Sequence, residues 1–312
     1  MKTRISTAAA FASLLLFVFS VSAQAQTLTL AISPSHPSPY IPYEEVPNPE
    51  ATKFDAIKNK RQHIMVRAGE QAPTREQAWQ AVIKELSQRS GVDLKLVIPK
   101  ERLAFELAMN KGEFDLAYLD PMQFVAFKQH PKYNAFAKRR AQPIKGLIVV
   151  RQDSSSTDIN ELKAATIGYP DPLSFGGSIV PRESLRRIGI DYQPKFYASA
   201  DLTFKALLKQ EVAAIATRDE DLKGQDLSTQ QKVKILWSSP GFTPYAFAAH
   251  PRVSFFTINR LQRALINMDR TEEGRNLLAD IFVANGFETA SNSDWHDVES
   301  IDINKLPGAT AN

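Results

Sequence analysis

The chain has 312 residues, of which 43% are hydrophobic and 23% charged, with a net charge of +4 and no cysteine. That content supports a buried core in one large or two ordinary domains, and it excludes disulfides, thiol nucleophiles, thiolate metal sites and a cysteine-borne lipid anchor. Lysine and arginine are interspersed with acids rather than clustered, so the charge pattern does not point to nucleic acid as a partner.

The first residues have the pattern of an export signal: Lys2 and Arg4, an apolar run from Ala8 to Val21, and the small-residue site Ala23-Gln24-Ala25. The run is short for a membrane span. Residues 1–25 are therefore expected to be removed, leaving a soluble chain that works outside the cytoplasm. Residues 26–62 read as an irregular N-terminal segment rich in Pro, Ser, Tyr and Glu, in which 27–32 have strand character. From His63 the pattern becomes regular. Residues 64–67 read as a strand and 75–88 as a helix, opened by a Thr74/Gln77 capping box and followed by Gly91. Strand 94–98, helix 102–111 and strand 115–119 come next, closed by Asp120-Pro121. Such βαβ units bind ligands outside the carboxyl ends of their strands, where Glu70, Gln71 and residues 118–123 would lie.

Strand 147–151 and the polar break 152–157 precede a second unit: helix 158–163, strand 165–169, helix 181–188, strand 194–197, helix 202–209 and strand 212–217. Strands 233–237 and 246–249 run back through Pro240 and Pro244, and helical patterns follow at 259–268 and 271–282. The expected organisation is α/β, with residues 63–151 and 245–304 forming one lobe, 152–240 a second, and 305–312 a disordered tail. Hinges are expected near 151–156 and 238–244.

The segment Gly168-Tyr-Pro-Asp-Pro-Leu-Ser-Phe-Gly-Gly-Ser-Ile-Val-Pro-Arg182 runs from a strand through small residues into a helix start. The unpaired N–H groups of a first helical turn and the helix dipole favour an anion there. Ser174 and Ser178 would add hydroxyl donors, and Gly176 and Gly177 would let a ligand approach the backbone. A Ser/Gly turn also serves simply to cap a helix, so both readings stand at this point.

Four blocks in order resemble one family, the phosphonate-type periplasmic substrate-binding proteins of ABC importers. They are Lys111-Gly-Glu-Phe-Asp-Leu-Ala-Tyr-Leu-Asp-Pro121, Leu147-Ile-Val-Val-Arg-Gln-Asp-Ser154 with Leu162-Lys163, residues 171–182, and the ending Glu273-Gly274, Gly286-Phe287 and Asn292-Ser-Asp-Trp295. The resemblance spans residues 63–300. It implies a two-lobed periplasmic-binding-protein clamp, each lobe a doubly wound, mostly parallel sheet with helices on both faces. It further implies a monomer that captures a small phosphate- or phosphonate-like oxyanion or zwitterion between the lobes and hands it to a membrane permease, with no cofactor. Ser174, Ser178 and the backbone of Phe175 to Gly177 would cradle the ligand, with Tyr118 on the facing wall. The same clamp as the sensing subunit of a membrane histidine kinase is an alternative, and an enzyme on this fold a remote one.

Several positions depart from the family pattern. Phe175 stands where a small hydroxyl residue is usual, Ala200 where His is frequent, Ala213 or Ala214 in place of an Asp, and Asp120 where Gly or Ser is common. A carboxylate at position 120 would repel an anion and suit an ammonium or hydroxyl. Phe242, Tyr245 and Phe247 are cleft walls or core, Tyr245 being the one assigned to the ligand. Arg218 is a bidentate anion donor or a solvated arginine of the run Arg218-Asp-Glu-Asp221, and Gln71 a ligand donor or part of a helix approach. Catalysis finds little support. The five histidines, His36, His63, His130, His250 and His296, form no metal-binding pair, Ser174 lacks a nucleophile elbow, and Gly176-Gly177 lacks the Lys-Ser/Thr of a nucleotide loop.

Overall fold

The computed structural model describes residues 27–34 and 73–306. The expected export signal, residues 35–62, the expected strand at 64–67, Glu70, Gln71 and residues 307–312 lie outside the described residues. The described chain runs β1 (Leu28–Ile32), α1 (Arg75–Ser90), β2 (Leu94–Val97), α2 (Arg102–Asn110), β3 (Leu116–Leu119), α3 (Pro121–Gln129), β4 (Asn134–Arg139), β5 (Gly146–Arg151) and β6 (Thr166–Tyr169). It continues through α4 (Val180–Arg187), β7 (Gln193–Phe196), α5 (Ala200–Leu208), β8 (Ala214–Arg218), α6 (Asp219–Lys223), α7 (Leu227–Gln231) and β9 (Val233–Ser238). β10 (Ala246–Ala249), α8 (Phe255–Ile266), α9 (Glu272–Asp280), β11 (Phe287–Thr289) and α10 (His296–Glu299) complete it.

These strands form two sheets, β11-β4-β10-β3-β1-β2 and β7-β6-β8-β5-β9. Neither is mostly parallel. β1 runs parallel to β2 and β3, and β6 to β7 and β8, whereas β10 and β5 are antiparallel to their neighbours. The reason is topological: β5 and β10 are the strands that arrive from the other sheet, and each enters against the direction of the βα units it joins. Two assignments change accordingly. Residues 28–32, expected to have strand character, pair between β2 and β3 inside the first sheet rather than standing outside the lobe, and residues 146–151 pair in the second sheet rather than the first. The first crossing is therefore at 140–145, not 151–156. There it pairs with the return crossing, since Ile144 and Phe242 exchange backbone hydrogen bonds of 2.9 Å in both directions.

Local sequence explains the elements that place the site. α1 buries Ala78, Trp79, Val82, Ile83 and Leu86 on one stripe, opens on the Thr74/Gln77 capping box and stops at Gly91, whose φ of 61° is costly for any residue with a Cβ. Asp120-Pro121, read from the sequence as the end of a strand, is also the start of α3: Asp120 caps it, Pro121 occupies its first turn, and Gln123 completes a capping box. In β5, Ile148 and Val150 join one core cluster while Leu147 and Val149 join another, so the second sheet is covered on both faces. The core of the first sheet also takes in Ile144, Phe175, Ile179 and Val180, so apolar packing is continuous across the junction.

Trp79 has no exposed surface, and its ring lies 5.0 Å from Tyr118 and 6.3 Å from Phe247. Trp79→Ala is expected to lower the unfolding free energy by about 3–5 kcal/mol, measured by urea denaturation.

Candidate functional site

The loop after β6 is tied to itself before it enters a helix. Asp171 accepts from the backbone N–H of Leu173 through its side chain (2.8 Å) and from that of Ser174 through its carbonyl (2.9 Å). The carbonyl of Ser174 takes the N–H groups of both Ser178 and Ile179, which makes the first turn, Phe175–Ile179, a wide π-type turn leading into α4. Ser178 is fully buried and donates to the carbonyls of Asp171 (2.8 Å) and Pro170 (3.3 Å). Its single proton is thereby committed to the loop, which removes it from the expected set of ligand donors. Arg182, 1% exposed, donates to the carbonyls of Ser178 and Pro172 and lies over the ring of Phe196. Ser174 is half-buried and its hydroxyl makes no capping bond.

The two glycines are required by packing. A Cβ on Gly176 would lie 2.7 Å from Ile144 Cγ2 and 2.9 Å from Arg218 Cγ, and one on Gly177 would lie 2.9 Å from both Pro170 Cγ and Ser174 Oγ. The stem of Arg218 thus lies on the start of the helix. Phe175, 4% exposed, turns its ring into the shared core and meets Phe242 edge-on at 5.6 Å.

On the opposite side, Tyr118 of β3 stacks on Tyr245, just before β10, with centroids 5.4 Å apart. Arg139, the last residue of β4, donates from Nε to the Tyr118 hydroxyl (2.7 Å) and from Nη1 to Glu220 (2.9 Å), and its guanidinium lies 4.6 Å from the Tyr245 ring centre. Arg218, at the end of β8, makes a two-pronged pair with Asp221 at 2.7 and 2.5 Å. Burial works against the charge of Arg218, but Asp221, Tyr245 and Glu220 more than offset it and hold the guanidinium protonated. For Arg139, too, burial is outweighed, by Tyr118 and Glu220. Burial pushes the Tyr118 phenol up to about 12 despite Arg139 beside it. Arg75, whose own pKa burial lowers, is within electrostatic reach of Tyr245. Tyr245 therefore stands among three arginines, with the carboxylates of Asp120 and Glu220 also bearing on it.

The structure thus brings Tyr118, Asp120 and Tyr245 into one neighbourhood with Gly176, and Arg218 is the bridge. Asp120 is 1% exposed; one carboxylate oxygen accepts from the Gln123 N–H as the helix cap (2.9 Å), and the other lies 3.9 Å from Arg102. Its engagement as a cap weakens its expected role as a partner for a ligand ammonium. Phe247 has no exposed surface and belongs to the core. Gln71 lies outside the described residues. Arg139 was not found by sequence reasoning, because β4 itself carries little apolar pattern and its end, Lys138-Arg139-Arg140, resembles a solvated basic run. His296 pairs with Glu299 on the surface. Among the described residues no three His, Asp or Glu side chains converge as metal ligands. Shallow depressions of about 320 and 380 Å³ lie on the outer face at α1, β2 and α8, and none of the candidate residues lines them.

Residues 65–295 match the periplasmic substrate-binding proteins of ABC phosphonate transporters. The chain belongs to this family. The two sheets are the lobes of its clamp. The chain is 26% identical over 230 residues to the tetrathionate sensor histidine kinase TtrS of Salmonella typhimurium, a match covering 65% of this chain and 38% of the kinase. The chain spans well under half of that relative's length. It is 20% identical over 283 residues to the probable ABC transporter phosphite binding protein PhnD1 of Prochlorococcus marinus, covering 83% of this chain and 92% of that protein. The structure of PhnD1 with methylphosphonate superposes with a TM-score of 0.65 at 16% identity, over 89% of this chain and 97% of that one, which shows a shared fold.

Two outcomes are expected of these contacts. Gly176→Ala should lower stability by about 1–3 kcal/mol in urea unfolding, because both neighbours must move. The Tyr118 phenol ionises at about 12 when folded and at about 10 when unfolded, so its contribution to stability is complete below pH 10 and lost as pH rises toward 12. Urea unfolding between pH 9 and pH 12 checks this, and Tyr118→Phe should flatten the decline.

Proposed function

We propose that this chain is the periplasmic solute-capturing component of an ABC importer, with residues 1–25 as its cleaved export signal, and that its ligand is a small phosphate- or phosphonate-like oxyanion held between the lobes. The protein acts as a monomer, binds without a metal or cofactor, and turns nothing over. The observation that supports the ligand class is the placement of Arg218. Its stem packs on Gly176 at the start of the α4 turn, and its guanidinium, paired with Asp221, is within electrostatic reach of Tyr245. Asp221 takes two of its donors, so a ligand would meet the remaining guanidinium donors together with the first-turn N–H groups and the helix dipole, and a tetrahedral oxyanion has the several acceptors needed to meet them.

A second reading keeps the pocket and changes the partner. The 26% identity to a sensor kinase, higher than the 20% to the phosphite-binding protein, supports a role as a ligand-sensing subunit. Affinity capture from membranes, with a permease or a histidine kinase as the retained partner, separates the two.

The ligand class is tested by thermal-shift measurements with phosphate, phosphite, methylphosphonate, sulfate and tetrathionate. One oxyanion should raise the melting temperature, by an amount that grows with its concentration over its dissociation constant. Ser174→Ala should weaken its binding by about 1–3 kcal/mol, the usual cost of leaving a buried acceptor one donor short. If no oxyanion stabilises the protein, the ligand class is wrong.

A further inference from the structure

Arg139 is buried and Arg218 half-buried, and their carboxylate partners are placed differently. Arg218 pairs with Asp221 three residues further on, so that contact stays within one lobe whatever the lobes do. Arg139 is in β4 of the first sheet, and Glu220 follows β8 of the second. Their pair spans the two lobes. The Arg139 side chain has no exposed surface, while that of Glu220 is 30% exposed, so the carboxylate reaches inward from the rim. Glu220 sits on α6, a five-residue helix with no buried residue. Besides Arg139, it accepts a longer contact from Gln142 Nε2 at 3.3 Å. Little packing opposes its withdrawal.

A carboxylate in this setting has the charge and the acceptor geometry of an anionic ligand. We propose that Glu220 is a built-in competitor: it occupies Arg139 across the cleft in the unliganded protein, and a bound oxyanion displaces it and takes Arg139 as its charged partner in the first lobe. This rests on the oxyanion reading given above. Two consequences separate it from that reading. The unliganded clamp is held partly closed by the Arg139–Glu220 pair, and every anion binds more weakly than the arginines alone would allow, by the fraction of time that Glu220 leaves Arg139 available. Selectivity follows as well. An anion must interact with Arg139 better than a carboxylate does, which favours a doubly charged tetrahedral group over a singly charged one.

The test is calorimetric titration of the full mature chain with phosphate, phosphite and methylphosphonate, for the wild type, Glu220→Gln and Arg139→Met, together with small-angle scattering of each protein without added anion. Glu220→Gln keeps the size and the hydrogen-bonding reach of the side chain and removes its charge. It should bind the preferred probe about tenfold more tightly, within the usual range of coupling between two sites, and its radius of gyration should increase. Arg139→Met should lose affinity on the order of a hundredfold. Glu220→Ala, which cannot reach Arg139, provides a second variant and should change in the same direction as Glu220→Gln. Unchanged or weakened binding in both Glu220 variants, with the wild type binding normally, overturns the competitor and leaves the oxyanion reading intact. If neither the wild type nor the Glu220 variants bind any probe, both fall together.

Discussion

A guanidinium withdrawn from water at the meeting of two sheets is the constraint on which the candidate site depends. Arg139 has lost nearly all its hydration, and a buried charge is tolerated only when its donors are met by acceptors. Tyr118 and Glu220 supply two of those, and Tyr245 supplies a ring face. To satisfy this one group, residues from β3, β4, the second crossing and the β8–α6 turn must converge. That convergence is what joins the lobes electrostatically. The apolar packing that surrounds it, from Phe175 and Ile144 to Tyr118 and Phe247, keeps water out and so makes each polar contact count for more.

The backbone accommodates this through two features. The crossing segments pair with each other at Ile144 and Phe242, so these two connections between the lobes are tied side by side. The α4 start, in turn, comes close to the second sheet only because Gly146 and Gly176 lack side chains: a Cβ on Gly146 would lie 2.8 Å from the Gly176 carbonyl. Arg182 then secures the loop from behind by taking its carbonyls. The loop is consequently tied along its length by hydrogen bonds to its own carbonyl and carboxylate oxygens.

Family membership and site chemistry carry different information here. The clamp architecture is common to the chain and to PhnD1. The arginine, tyrosine and carboxylate set at the junction is a property of this chain's own residues, as is Phe175 filling space with a ring.

Much of the fold was legible from periodicity and punctuation. The stripe of α1 with its capping box, the apolar run of β5, the Gly168–Arg182 turn and the βαβ rhythm each depend on residues close in sequence, whose steric and hydrogen-bonding preferences act locally. Asp120-Pro121 was readable as a boundary but ambiguous between a strand's end and a helix's start, since the same residues serve both. What only the tertiary structure decided is which strands share a sheet, that β5 crosses before residue 146, and that Arg139 and Arg218 come to rest beside Tyr245. Those outcomes depend on pairings between segments more than a hundred residues apart, and nothing in the local pattern of Lys138-Arg139-Arg140 distinguishes a solvated charge from one buried by its neighbours.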